Sequence, residues 1–347
     1  MSQFLRPNIR AMSGYIPGEQ PRDPAVIKLN TNENPYPPSP RVRLAIDEIL
    51  AGGALRRYPD PLGSRFRDTA ARMLDVDPDG ILIGNGSDDI LTIVTRAFVP
   101  ERGSVVSLTP SYLLYKTLAD LQGASFRAIP FAEGWALPEP WPVTRAHLTL
   151  LANPNSPSGT MVSSEAVRRL SETLDGPLVV DEAYVDFADT TCLFLRDRPN
   201  VIITRTLSKS HSLAGLRFGF AVARPELIAQ LVKVKDSYNC DALSLAGAAA
   251  ALEDQEHMRQ NRARIIQTRS RLAEQLRALG FSVAPSQANF VWTSRPDRSN
   301  KAIFEELARR KILVRYMDYG DLGDGLRVSV GTDAEIDRLL DELRKIV

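Results

Sequence analysis

The chain has little of what several specialised chemistries require. Its two cysteines, Cys192 and Cys240, show no CxxC spacing, which excludes a disulfide scaffold and leads us to expect reduced thiols in a cytoplasmic protein. With three histidines, His147, His211 and His257, no HExxH and no Cys/His cluster, neither zinc catalysis nor a metal site is expected. Charge of one sign is missing too: 43 Lys plus Arg face 42 Asp plus Glu, a net +1, so neither a broad basic face for nucleic acid nor an acidic tail is present. No run of about 18 apolar residues occurs, and the opening MSQFLRPNIRAMSGY has no long apolar core, so neither membrane insertion nor export is expected. GxSxG and the phosphate-binding GxxxxGK[ST] are absent. GNGSDD begins like a dinucleotide fingerprint but lacks its third glycine. No repeat or low-complexity tract points to a solenoid.

What is there reads as a globular α/β chain. At 44% hydrophobic and 24% charged, 347 residues have room for two domains. Eight of the 24 prolines fall in the first 40 residues, which marks 1–40 as an extended arm. RVRLAIDEIL and SRFRDTAARMLDV have helical spacing. ILIG, SVVSL, HLTLLAN, PLVVDEAY, VIITRT and RFGFAVA then read as strands, with helices such as DILTIVTRAFV, LLYKTLADLQ and EAVRRLSETL between them. Continuous apolar strands alternating with helices imply a mostly parallel central sheet covered by helices on both faces. Past about residue 235, SLAGAAAALEDQEHMRQNRARIIQTRSRLAEQLRALG reads as one or two long amphipathic helices, followed by a second strand-and-helix unit to the end. The expected division is an arm 1–40, a large domain 41–235, and a smaller α/β C-terminal domain 236–347 with the long connecting helix.

Polar residues gather at predicted strand ends, where open α/β sheets place ligands. DEAY after PLVV puts Asp181 and Tyr184 there, and TLSKSHSLAGLRFG after VII adds Ser208, Lys209 and Arg217. Alone, Lys209 could be a solvated loop lysine and Asp181 a helix cap. Together they have a chemical logic: a pocketed amine forms a Schiff base with an aldehyde cofactor, and a pyridine electron sink needs an acid beside its nitrogen. The turn GNGSDD, entering a helix, would offer amides to a phosphate, while Ser87, Asp88 and Asp89 are also plain helix-capping residues.

From about residue 27 onward the chain resembles the fold-type I pyridoxal-phosphate aminotransferases, most closely their histidinol-phosphate branch. Nine segments carry the likeness in order: KLNTNENPYPPSP, RRYPDP, GNGSDDIL, PSYLLY, NPNSPSG, VVDEAYVDF, RTLSKSHSLAGLRFG, ILVRY and LRVSVGT. The resemblance implies pyridoxal 5'-phosphate as cofactor. It makes Lys209 the Schiff-base lysine and proton shuttle, Asp181 the partner of the ring nitrogen, Tyr184 the partner of the phenolic oxygen, and Tyr112 the stacking ring. Gly86, Ser87, Asp88, Ser208 and Arg217 would hold the phosphate. Tyr58 would reach the neighbouring subunit's site, which implies a homodimer. Where the family reads PNNPTG this chain reads PNSPSG, so the phenolic oxygen is left to Asn155 or to a weaker contact from Ser156.

Arg327 matches the arginine that clamps a substrate α-carboxylate, a task suited to a bidentate fork. Arg315 and Tyr15 resemble positions that meet a substrate phosphate, although Arg315 also fits a strand-edge ion pair and Tyr15 plain arm packing. His211 reads as a structural hydrogen-bonding residue. The implied activity is ping-pong amino transfer between a small-molecule donor, histidinol phosphate or a related amino-phosphate, and a 2-oxo acid, 2-oxoglutarate, in histidine biosynthesis. An aromatic aminotransferase or a threonine-phosphate decarboxylase of the same fold is the near alternative, and a non-catalytic ligand-binding protein the distant one.

Overall fold

The computed structural model describes residues 2–347. The arm is not wholly extended, because Pro7, which suits the first position of a helix, opens the short α1 (Pro7–Ala11). After β1 (Ile27–Lys28), Ser39 caps α2 (Pro40–Ala51) by accepting from the Arg41 amide at 3.1 Å, and α3 (Ser64–Leu74) follows. The chain then alternates: β2 (Ile81–Gly84), α4 (Ser87–Phe98), β3 (Ser104–Thr109), α5 (Leu114–Gln122), β4 (Ser125–Pro130), β5 (Leu148–Ala152), α6 (Ser164–Thr173), β6 (Leu178–Asp181), β7 (Val201–Thr206), β8 (Gly219–Val222) and α7 (Pro225–Leu231).

These seven strands, β2 to β8, form one sheet in the order β2-β8-β7-β6-β5-β3-β4, parallel except for β8, which runs antiparallel to both β2 and β7. Successive residues of the central strands divide between two cores. Val105, Val179 and Ile202 pack with Ile90, Leu91 and Tyr115 of α4 and α5, while Val106, Val180 and Ile203 pack with Val167 and Leu170 of α6. Burial on both faces explains why these strands are continuously apolar. SFRAIP, which carries no strand pattern in the sequence, is β4. It is an edge strand, mostly exposed and ending in proline, and so lacks an apolar signal.

The tract beyond residue 235 becomes two helices, α8 (Ala242–Glu253) and α9 (Gln255–Ala278), of which α8 is buried through most of its length rather than amphipathic. Its alanines pack with Val42, Phe66 and Ala70 of α2 and α3. After α9 come β9 (Ser282–Val283), β10 (Phe290–Ser294), α10 (Asn300–Arg309), β11 (Ile312–Leu313), β12 (Arg315–Asp318), β13 (Asp324–Ser329) and α11 (Asp333–Ile346). An antiparallel sheet β12-β13-β10-β9 packs with α9, α10 and α11 around Leu272, Leu307 and Leu339. The arm joins this unit as β1, parallel to β11, so the asparagine-rich stretch 30–34 leaves the small sheet and crosses toward the large one. Among the described residues no helix is long and apolar enough to cross a membrane.

Asp254 ties the two halves together. Its carboxylate accepts from the Ser39 hydroxyl at 2.5 Å and from the His257 amide at 3.4 Å, so one side chain caps α9 and anchors the cap of α2. Asp254→Ala is expected to lower stability by about 1–2 kcal/mol, read as a lower urea midpoint with unchanged slope; an unchanged midpoint would refute the role.

Candidate active site

One cleft opens between the two sheets, at the C-terminal ends of β5, β6 and β7. It is lined by Tyr15, Ser87, Asp88, Tyr112, Asp181, Tyr184, Ser208, Lys209, Arg217, Arg315 and Arg327, so the structure brings eleven of the sequence candidates into one space. Three others lie elsewhere. Gly86 stands just behind the cleft as the N-cap of α4. Tyr58 is 81% exposed, stacked on Tyr238 with ring centroids 4.5 Å apart and outside its own chain's cleft. Asn155 is turned away: its amide donates to the Pro110 carbonyl at 3.0 Å and to Ser158 at 2.9 Å, and its Oδ1 accepts from Ser111. With both amide hydrogens so committed, Asn155 has no donor left for a cofactor's phenolic oxygen, and it is Ser156 that lines the cleft.

Asp181 ends β6 and is buried, accepting from the Tyr115 hydroxyl at 2.8 Å, the Ala183 amide at 3.2 Å and Thr204 at 3.3 Å. Burial and, behind it, the charge of Asp88 push its carboxyl up to about 6 despite those donors. The Tyr184 hydroxyl accepts from the Asn32 amide at 2.9 Å, its ring lies edge-to-face on Phe290, and burial raises its phenol above the ordinary value. Lys209 follows β7. Its amine donates to the Thr31 carbonyl at 3.2 Å, and burial followed by the nearby Arg327 charge lowers it to about 8. A desolvated lysine of this kind is neutral often enough to be a nucleophile and a base.

A second group forms an anion corner. The start of α4 presents its free amides beside Ser87, Ser208 and Arg217. Space there is made by glycines: a Cβ at Gly86 would lie 2.7 Å from Arg217 Nη2, and one at Gly219 would lie 2.4 Å from the Ser87 nitrogen. Arg217 takes φ 51°, a costly conformation for a side chain of this size. It faces Asp88 at 3.3 Å, and Asp88 also accepts from the Tyr112 hydroxyl at 3.2 Å. A carboxylate repels phosphate, so the contribution of Asp88 to an anion is through its backbone.

The third group sits on the small sheet. Arg315 on β12 and Arg327 on β13 are direct cross-strand partners, an arrangement of like charges that costs stability. Both spend donors on neutral oxygens. Arg327 donates to Ser156 at 3.1 Å and to the Asn30 carbonyl at 3.0 Å, and Arg315 to the carbonyls of Ile16 at 3.0 Å and Pro17 at 3.3 Å. Arg327 Nε is buried with no partner among the described residues. Tyr15 meets the Tyr112 ring edge-on at 6.2 Å, so the arm spans the cleft mouth. His211 lies beside this site rather than in it, its Nδ1 2.8 Å from Ser210 Oγ.

Sequence reasoning missed Tyr115, Asn30 and Asn32. Tyr115 reads as one more apolar residue of a helix, whereas the asparagines left a signal in LNTNEN, and Asn32 does adopt a left-handed φ of 56°.

The site fits pyridoxal phosphate on its own chemistry. Asp181 is a buried carboxylate short of a counter-charge, which a protonated ring nitrogen supplies. The anion corner suits a phosphate, and the lowered Lys209 amine suits an aldehyde.

Residues 24–343 match the model of the family described as aminotransferase class I and II. The histidinol-phosphate aminotransferase of Rhodopirellula baltica is 53% identical over 336 residues, covering 96% of this chain and 92% of that one. Histidinol-phosphate aminotransferase 1 of a Nostoc species is 47% identical, covering 100% of this chain and 99% of that one. Among solved structures, the Sinorhizobium meliloti histidinol-phosphate aminotransferase in complex with pyridoxal-5'-phosphate superposes with a TM-score of 0.88 at 27% identity, over 99% of this chain and 98% of that one.

Because the folded carboxyl of Asp181, at about 6, lies above its unfolded value of 3.8, its charge opposes folding at neutral pH and not below about pH 4. Asp181→Asn should therefore stabilise the ligand-free protein at neutral pH by up to roughly 3 kcal/mol. The gain should shrink as pH falls from about 6 to about 4. Thermal unfolding across that range measures it, and a gain that grows on acidification would contradict the assignment.

Proposed function

The chain belongs to the class I and II aminotransferases, and we propose that it transfers the amino group of histidinol phosphate to 2-oxoglutarate with pyridoxal 5'-phosphate as cofactor. The observation that carries the reading is the pair Arg315 and Arg327, set directly opposite each other and facing the same cleft as Lys209 and Asp181. Two unneutralised guanidinium groups side by side are explained by anionic substrates, and the relatives named above supply the chemical class.

Bound in the cleft, the cofactor supplies an aldehyde that condenses with amines and a ring that spreads the charge left when a Cα–H bond breaks. Asp181 holds the proton on the ring nitrogen, and Tyr115 and Thr204 hold Asp181. Tyr184, held in turn by Asn32, donates to the phenolic oxygen. Tyr112 covers the ring. The α4 amides, Ser87, Ser208 and Arg217 bind the phosphate, fixing the distance from that anchor to Lys209. Lys209, its amine lowered to about 8, would take the proton from the substrate α-carbon and return it two bonds away, on the far side of the amino nitrogen. Arg327 takes the carboxylate of the 2-oxo acid, and Arg315 with Tyr15 the phosphate of the amine. Of the C-terminal part, 236–347, α8 stays packed on α2 and α3, and the unit that follows it carries both arginines to the cofactor-binding domain of 41–235.

The assembly we propose is a homodimer. Tyr58 is a large exposed aromatic turned out of its own cleft, as a residue serving a neighbour's phosphate site would be.

Half-reactions followed by cofactor absorbance test the reading. Lys209→Ala should lose turnover and the visible band of the lysine-bound cofactor. Arg315→Ala should lower kcat/KM for histidinol phosphate by about 10- to 100-fold while leaving phenylalanine and tyrosine within a few-fold, since a charge-assisted bond to phosphate is lost. Equal losses would reject the phosphate role. Subunit sharing predicts that Lys209→Ala and Tyr58→Phe chains refolded together exceed the summed activity of the separate parents.

A further inference from the structure

Most side-chain acceptors of the cleft are already in use. Asp181 is taken by Tyr115 and Thr204, Asp88 by Arg217 and Tyr112, and the Tyr184 oxygen by Asn32. Asn30 differs. It is 3% exposed, it lines the cleft, and its Oδ1 is buried without a partner among the described residues.

The orientation of that amide is not arbitrary. Asn30 Nδ2 donates to the Glu19 carbonyl at 2.9 Å, and turning the group over would set two acceptors against each other. The backbone of Asn30 is held as well, because its carbonyl accepts from Arg327 Nη2 at 3.0 Å. On the other side lies the arm: a Cβ at Gly18 would be 3.6 Å from Asn30 Nδ2 and 3.8 Å from Arg315 Nη1. Asn30 therefore stands beside both substrate-facing arginines, its backbone carbonyl on Arg327 and its amide on the stretch of arm that adjoins Arg315. A buried acceptor left unpaired is costly, and a donor on the ligand removes that penalty.

We infer that Asn30 is a specificity-determining residue whose Oδ1 accepts a hydrogen bond from an N–H on the side group of the amine substrate. The class selected is an amine carrying both an anionic group, for the arginines, and a nitrogen heterocycle with an N–H, for Asn30. The inference rests on the proposed function, in which the imidazole of histidinol phosphate supplies that N–H. Glutamate carries no N–H on its side chain, so its half-reaction does not use the contact.

The two half-reactions separate this role from a general one. Asn30→Leu should lower kcat/KM for histidinol phosphate by about 10- to 100-fold and leave the glutamate half-reaction within about 3-fold. A second measurement needs no variant: the unaltered enzyme should disfavour the analogue bearing a phenyl ring in place of the imidazole by at least about 10-fold, and Asn30→Leu should erase most of that preference. Equal losses on both half-reactions, or a variant that keeps the preference, would overturn the role of Asn30 while leaving the proposed function standing. Failure of the unaltered enzyme to turn over histidinol phosphate would overturn both.

Discussion

Asp181 and Lys209 are an acid and an amine that water would keep charged and the cleft pushes toward neutrality, and much of the surrounding structure is arranged to hold them there. The carboxyl is lifted to about 6 and the amine lowered to about 8, both first by burial. Holding them requires fixed donors around Asp181 and a fixed backbone on either side of Lys209. The Asn34 amide supplies part of the latter, donating to the carbonyls of Lys209 and Ser210 at 3.0 and 3.2 Å. Behind Asp181, the buried Glu182 pairs with Arg205 at 2.8 Å and accepts from Thr191 and the Cys192 amide. Two adjacent strand ends, β6 and β7, are thereby locked together at the point where the chemistry is placed.

The segment from Leu29 to Asn34 links the two halves of the molecule at this point. Leu29 hydrogen-bonds to Leu313 and Ser329 of the small unit, Asn30 and Thr31 present their carbonyls to Arg327 and Lys209, and Asn32 supports Tyr184. Six residues of arm thus touch substrate-facing and cofactor-facing groups together. A shift of the small sheet cannot leave the surroundings of Lys209 unchanged, which is a direct physical route from substrate binding to the reacting amine.

The parts of this arrangement that were legible in the sequence are those enforced locally. Strands buried on both faces must be apolar throughout, so β2, β3, β5, β6, β7 and β8 stand out, whereas the exposed edge strand β4 does not. Asp181 and Lys209 are visible because a polar residue just past an apolar strand has few structural reasons to be there. Asn155 misleads for the opposite reason: it lies in the right loop, and only the three-dimensional path of that loop shows its side chain committed to Pro110, Ser158 and Ser111. The opposition of Arg315 and Arg327 was hidden because it depends on the register of β12 against β13, which the eleven intervening positions do not specify.

Two ion pairs show how differently the same chemistry is used on either side of the cleft. Glu182 is fully buried beside Arg205, so separating them would strand a charge in a low dielectric, and the pair serves as a rigid part of the sheet. Asp88 and Arg217 are 43% and 46% exposed at 3.3 Å, where water screens the attraction to about 1 kcal/mol or less. Such a pair opens at little cost when a doubly charged anion competes for the arginine. A near-neutral chain can therefore still keep a locally positive corner: its counter-charge is present, but held loosely enough to yield.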